Sequence, residues 1–254
     1  MKSQNTRRDF IKTAAIAGAV AGISIPEIVS AANTSAAAKK ITLNDNDVVL
    51  FQGDSITDWG RDHKKSNPNE PASLGNGYAQ LTAAQLLCKF PGKNLQVYNK
   101  GVSGDKVYQL RDRWETDTIA LKPNVLSIHV GVNDYWHMAK HGYTGTIETY
   151  ITDYRKLINQ TQQALPGIKI IICEPFALKG VKEVDDTWYP AFDAYRKAAK
   201  DIATEFNLPF VAWQTVMDKA LDKAPAKYWS IDGVHPSLAG ALLMANAWLE
   251  VVQG

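Results

Sequence analysis

The chain has 254 residues, with 28 Lys and Arg against 26 Asp and Glu, a formal net charge of +2 and 45% hydrophobic residues. That balance excludes an electrostatic binder of nucleic acid or anionic membrane, whose mark is a strong basic excess. Its cysteines, Cys88 and Cys173, are too few for a disulfide framework, and no cysteine–histidine spacing fits zinc.

The amino terminus carries Thr6-Arg7-Arg8-Asp9-Phe10-Ile11-Lys12, then a mildly apolar run from Thr13 to Ile25, then Ser30-Ala31-Ala32. A twin-arginine pair, an apolar region and a small-residue cleavage site are the parts of an export signal. The expected organisation is a signal over residues 1–32, a linker over 33–46 and one folded domain over 47–254. Cleavage is expected near Ala31 or Ala32, in a protein that is periplasmic or otherwise exported across a bacterial inner membrane. The apolar run is short and rich in Ala and Gly, so no integral membrane span is expected after cleavage; an uncleaved anchor is the alternative. Removing the signal's four basic and two acidic residues from totals of 28 and 26 leaves 24 of each, so the mature chain is formally neutral. About 220 residues then remain, enough for one sizeable core.

Strand-like apolar runs occur at Val48–Gln52, Leu95–Asn99, Val125–Val130, Lys169–Glu174 and Pro209–Ala212. Helical patterns lie between and after them, at Tyr78–Lys89, Val107–Ala120, Ile147–Ala164, Ala191–Phe206 and Pro236–Val252. This alternation predicts an α/β protein, a five-stranded parallel sheet covered on both faces by helices. Right-handed crossovers make that a three-layer α/β/α sandwich with a flavodoxin-like strand order. Cys88 and Cys173 both lie in apolar segments and read as two buried thiols, with a disulfide between them as the alternative.

Ligands of open α/β sheets bind at the carboxyl ends of strands, so the polar turns there matter most. The first strand runs into Gly53-Asp54-Ser55-Ile56-Thr57, which puts a serine hydroxyl at that edge. A hydroxyl is a weak nucleophile until a base takes its proton. The second strand is followed by Asn99-Lys100-Gly101-Val102-Ser103-Gly104-Asp105, whose glycines permit a tight turn with exposed amides. The third is followed by Gly131-Val132-Asn133-Asp134, which offers an amide side chain. Near the end stands Asp232-Gly233-Val234-His235-Pro236. Its spacing lets Asp232 bond one ring nitrogen of His235 while the other faces Ser55. Pro236 suits the first position of the last helix. Any one of these stretches alone reads as an ordinary turn or cap; together they mark one edge of one sheet. Elbow, P-loop and dinucleotide motifs do not occur.

Those four stretches, in that order, resemble the blocks of the SGNH hydrolases, also called the GDSL esterase/lipase family, across essentially all of residues 47–252. The resemblance implies the SGNH hydrolase fold and roles for individual residues. Ser55 would be the nucleophile, His235 the base and then the acid, and Asp232 the residue that orients the imidazole. The amides of Ser55 and Gly104 and the side chain of Asn133 would form the oxyanion hole. Asp54, Asp58, Trp59 and Trp136 are supporting or substrate-binding candidates. No metal or organic cofactor is implied.

The segment Gly53 to Asp62, with Leu74-Gly75-Asn76-Gly77-Tyr78, is similar to the branch containing acetylxylan esterases and related carbohydrate deacetylases. The expected partner is an acylated carbohydrate or another small ester. One or two of Trp59, Trp136, Trp188, Trp213 and Trp229 are expected at the site and the rest in the core. The chain lacks a long apolar lid, and a short polar pocket suits acetyl better than a long acyl chain. A broad short-chain lipase, arylesterase or thioesterase is the alternative within the enzyme class. A silent scaffold that binds carbohydrate is the alternative outside it. His129, inside a strand, reads as a core histidine. His63, His137 and His141 show no metal pattern and read as surface-loop residues.

Overall fold

The structure, a computed structural model, describes Val29 and residues 39–254. The expected export signal over residues 1–32, apart from Val29, and residues 33–38 of the expected linker lie outside the described residues.

The strands are β1 (Ile41–Thr42), β2 (Val48–Gly53), β3 (Gln96–Asn99), β4 (Val125–His129), β5 (Lys169–Cys173), β6 (Phe210–Val211) and β7 (Val252–Gln253). Five of them form one parallel sheet in the order β3-β2-β4-β5-β6. Counted within that sheet, the order is the flavodoxin-like one expected. Every residue of β4 is buried, as in a parallel strand covered on both faces. The order reverses at β2, so a crevice opens beyond the carboxyl ends of β2 and β4.

The helices that matter below are α1 (Ser55–Asp58), α2 (Tyr78–Lys89), α3 (Val107–Asp112), α4 (Val132–Lys140), α5 (Ile147–Ala164), α6 (Ala191–Glu205), α7 (Trp213–Ala220) and α8 (Leu238–Leu249). One layer packs α2, α7 and α8 together; the other packs α3, α5 and α6. Buried tryptophans tie layers to sheet and to one another. Trp248 packs tilted against Phe51, ring centroids 5.2 Å apart, and donates to Ser127 Oγ at 3.0 Å. On the opposite face, Trp114 donates to Thr161 Oγ1 at 2.9 Å.

Several boundaries differ from expectation. Residues 41–46 are part of the folded unit, not linker. Ile41 pairs with Val252 in a two-stranded parallel ladder, and Leu43 is fully buried. The helix expected over Val107–Ala120 breaks at Arg113, whose side chain is drawn inward to five hydrogen bonds. Pro236 lies outside the last helix: Ser237 is its cap, accepting from the Gly240 amide at 3.2 Å, and the helix starts at Leu238. Cys88 is exposed on the last turn of α2, while Cys173 is buried in β5; both are free thiols. Helices α4 and α7 were not among the expected elements. No helix among the described residues is long and apolar enough to cross a membrane.

Candidate active site

The turn after β2 is shaped by close packing. A Cβ on Gly53 would collide with Thr57 Oγ1 and with the carbonyl of His129, so only glycine lets β2 end this close to β4. Asp54 then caps α1, its Oδ1 accepting from the Ile56 amide at 3.0 Å. Ser55 is the first residue of that helix and faces the crevice.

Across the crevice, the segment before α8 folds onto one carboxylate. Asp232 Oδ1 accepts from the amides of Val234 at 2.9 Å and His235 at 2.7 Å. Its Oδ2 lies 2.6 Å from His235 Nδ1. Burial opposes the charge on Asp232, but the imidazole bond and the two amides outweigh it and hold the carboxyl at about 2. A carboxylate only accepts, so the ring hydrogen sits on Nδ1 and Nε2 presents a lone pair. That Nε2 is 2.8 Å from Ser55 Oγ. The Trp59 ring stacks on the imidazole at 5.4 Å, and Trp136 meets it edge-on at 6.5 Å.

The third wall is the loop after β3. Asp58, almost fully buried, accepts on Oδ2 from both the amide and the hydroxyl of Ser103, at 3.0 and 2.6 Å. Its Oδ1 lies 3.0 Å from His63 Nε2. Arg61 Nε donates to the Gly101 carbonyl at 2.7 Å. Arg113 donates to the Lys100 carbonyl, to Gln52 and to Asp105 at 2.7, 2.9 and 2.8 Å. Gly104 therefore sits at the crevice in a loop held from outside. Helix α4 brings Asn133 beside it. Asn133 Nδ2 donates one hydrogen to the Asp105 carbonyl at 3.2 Å, which leaves its second hydrogen for the crevice.

Ser55, Trp59, Gly60, Ser103, Gly104, Asn133, Trp136, His137 and His235 together line an open cleft of about 390 Å³. The structure thus gathers Ser55, Asp232, His235, Gly104, Asn133, Trp59 and Trp136. Asp54 and Asp58 are placed behind the cleft as buried supports. Trp188, Trp213 and Trp229 belong to the core. His63 and His141 are exposed, whereas His137 is not a loop residue but a wall of the cleft on α4.

Behind Ser55, burial pushes Asp54 and Asp134 up to about 7, against bonds from the amides of Ile56 and Val107. Burial likewise drives His129 down to about 3, so its ring is neutral 3.7 Å from Asp54 and the two form no ion pair. His129 is a core histidine, as its place in a strand suggested. Arg61, Lys106 and Arg113 escaped the sequence reading, and His137 was assigned to a surface loop. For His137 the signal was available: Asn133, Trp136 and His137 recur at i, i+3 and i+4. Among the described residues, no group of three or more His, Cys, Asp or Glu is placed to hold a metal ion.

Residues 51–243 match the GDSL-like lipase/acylhydrolase family. The chain is 35% identical over 208 residues to the acetylxylan esterase of Geobacillus stearothermophilus, covering 80% of this chain and 93% of that protein. A crystal structure of that enzyme superposes with a TM-score of 0.74 at 33% identity, covering 83% of this chain and 95% of the other. A crystal structure from Parabacteroides merdae, described only at the family level as a GDSL-like lipase, superposes with a TM-score of 0.82 at 51% identity over 84% and 98% of the two chains. Catalytic variants of the Geobacillus enzyme carry alanine for a serine, an aspartate and a histidine, the last two three positions apart. This chain belongs to the GDSL-like lipase/acylhydrolase family and is a carboxylic-ester hydrolase.

Proposed function

We propose that the protein is an exported serine esterase that removes O-acetyl groups from carbohydrates through an acyl-enzyme on Ser55. The observation that carries this reading is the unbroken chain Asp232–His235–Ser55, at 2.6 and 2.8 Å, opening into one cleft with Gly104 and Asn133. Ser55 Oγ attacks the acetyl carbonyl carbon as its proton passes to His235 Nε2. The carbonyl oxygen becomes an oxyanion, held by the amides of Ser55 and Gly104 and by Asn133. The C–O bond to the sugar breaks, and the sugar oxygen leaves with the proton from His235. Water then gives its proton to His235 and attacks the acyl-enzyme; Ser55 leaves reprotonated, and acetate is released. Asp232 stays ionised and steadies the imidazolium.

Carbohydrate as the alcohol is supported by the acetylxylan esterase relatives and by Trp59 and Trp136, which line the cleft beside His235. Acetate release from acetylated xylan, pectin and peptidoglycan fragments, wild type against Ser55→Ala, is the test. Release from one substrate, lost in the variant, is expected. Cleavage of butyrate or longer esters alone would remove the carbohydrate assignment, and full activity in Ser55→Ala would remove the mechanism. Export rests on Arg7-Arg8, the apolar run and Ser30-Ala31-Ala32. A mature amino terminus near Asn33 in the exported fraction, lost when both arginines become lysine, is the expected result.

A further inference from the structure

His137 lines the cleft, yet the reaction above leaves it without a task. Its surroundings determine what it offers. Its Nδ1 lies 3.0 Å from Lys106 Nζ. A lysine ammonium donates hydrogen bonds and accepts none, so Nδ1 is the lone-pair nitrogen and the ring hydrogen resides on Nε2. Burial, then the charge of Lys106, then His141 lower the affinity of this ring for a second proton, so it is neutral. The result is a single, oriented N–H donor.

Lys106 is held for this purpose in an unusual way. It is only 6% exposed and makes no ion pair among the described residues. Its ammonium lies 5.2 Å from the Tyr143 ring and 5.8 Å from the Tyr108 ring, and these rings stack on each other at 5.7 Å. It also donates to the Gly104 carbonyl at 3.4 Å. Its bonds therefore join the proposed oxyanion loop to α4.

The position of the donor says what it reads. Asn133 and His137 are four residues apart on one face of α4, so His137 stands about 6 Å along the helix from the amide proposed to hold the carbonyl oxygen. A Cβ built on Gly104 would lie 3.9 Å from His137 Cε1, which sets the imidazole edge over that glycine. A simple acetate ester has no further oxygen at such a distance. A sugar has several, on the ring and on neighbouring carbons.

We propose that His137 Nε2–H binds an acceptor oxygen of the sugar next to the acetyl ester, and that Lys106 is the positioning residue that locks His137 in this tautomer. The proposal rests on the carbohydrate reading given above. It makes His137 a specificity residue: a site built to bond an oxygen discriminates against an alcohol that lacks it.

The test uses two esters of similar ring size, methyl 3-O-acetyl-β-xylopyranoside and cyclohexyl acetate, the second having no oxygen outside its ester. The quantity read is the ratio of their kcat/KM values. Wild type is expected to favour the xyloside. His137→Phe is expected to lower the ratio about tenfold, mainly through KM of the xyloside. His137→Gln, which restores an amide donor, is expected to recover part of it. Lys106→Met is expected to lower the ratio about threefold, with Lys106→Arg closer to wild type. In the intact wild-type protein, nitrogen-15 spectra should show hydrogen on His137 Nε2 and a lone pair on Nδ1, and Lys106→Met should mix the two tautomers. A wild-type preference for the xyloside that survives His137→Phe, or a wild-type ring protonated on Nδ1, overturns the inference alone. A wild type with no preference for the xyloside overturns the carbohydrate reading and this inference with it.

Discussion

The two sides of the cleft are built by opposite means. On one side, residues 230–235 shape themselves. Ser230 Oγ bonds the carbonyl of His235 and the amide of Gly233, the Ile231 amide reaches the same carbonyl, and Asp232 gathers its two neighbouring amides and the imidazole. On the other side, residues 99–106 make few bonds among themselves. They are held by Asp58 and Arg61, three residues apart in the segment after β2, and by Arg113 from the far side of the loop. A compact motif with its own polar groups keeps its geometry wherever it is packed. A glycine-containing loop takes its geometry from what surrounds it, so its function is exposed to changes at residues that never touch substrate.

The sharpest test of the self-shaped side is Asp232→Asn. The amide favours the wrong histidine tautomer, and kcat is expected to fall on the order of 10⁴-fold with the fold intact. A loss of less than tenfold would mean that the pair is structural only.

On the opposite side, Asn133→Ala removes one donor to the developing oxyanion. Its expected cost is about 10²- to 10³-fold in kcat with KM little changed. A rise in KM alone would place Asn133 in substrate binding.

Asp58→Ala breaks the comparison more directly, because it acts on the externally held loop without touching the cleft. Releasing both Ser103 bonds is expected to lower kcat about 10- to 100-fold by misplacing the Gly104 amide. Ser103→Ala removes only the hydroxyl bond and should cost less. Equal and negligible effects would show that Arg61 and Arg113 suffice to hold the loop.

The remaining effect is on stability rather than on rate. Asp54 has an ordinary value of 3.8, raised by burial to about 7 in the folded protein. The stability linked to its protonated form is complete below about pH 4 and is lost as pH rises through about 7. Asp54→Asn keeps a cap and carries no such loss. The Tm of the variant relative to wild type should therefore rise between pH 4 and 7, by on the order of ten degrees, and level off above. A pH-independent difference would contradict a buried, protonated Asp54.

How much of this was legible in the sequence follows the same division. The five sheet strands stand out because a parallel strand buried on both faces reads as a run of apolar residues. Ser55 and the Asp232–His235 pair stand out because their geometry is short-range. Helix α4 was hidden because Gly131, at φ +135°, starts it directly after β4 and its first turn, Val132-Asn133-Asp134, looks like a polar loop. The ladder between Ile41 and Val252 was hidden because two-residue strands carry no pattern and their partner lies at the far end of the chain.

By itself, then, the sequence determined the sheet and its carboxyl edge, the Ser55 turn and the Asp232–His235 unit, all signals written within a few residues. Only the tertiary structure decided that Arg113 breaks a helix to brace the loop beside Gly104, that Asp58 faces backward to Ser103 instead of into the cleft, and that Lys106 meets His137 across 31 positions. Each of these is a polar side chain satisfied by a partner distant in sequence. Such partners are chosen by the cost of leaving a buried polar group unpaired once the layers have packed, not by any local pattern.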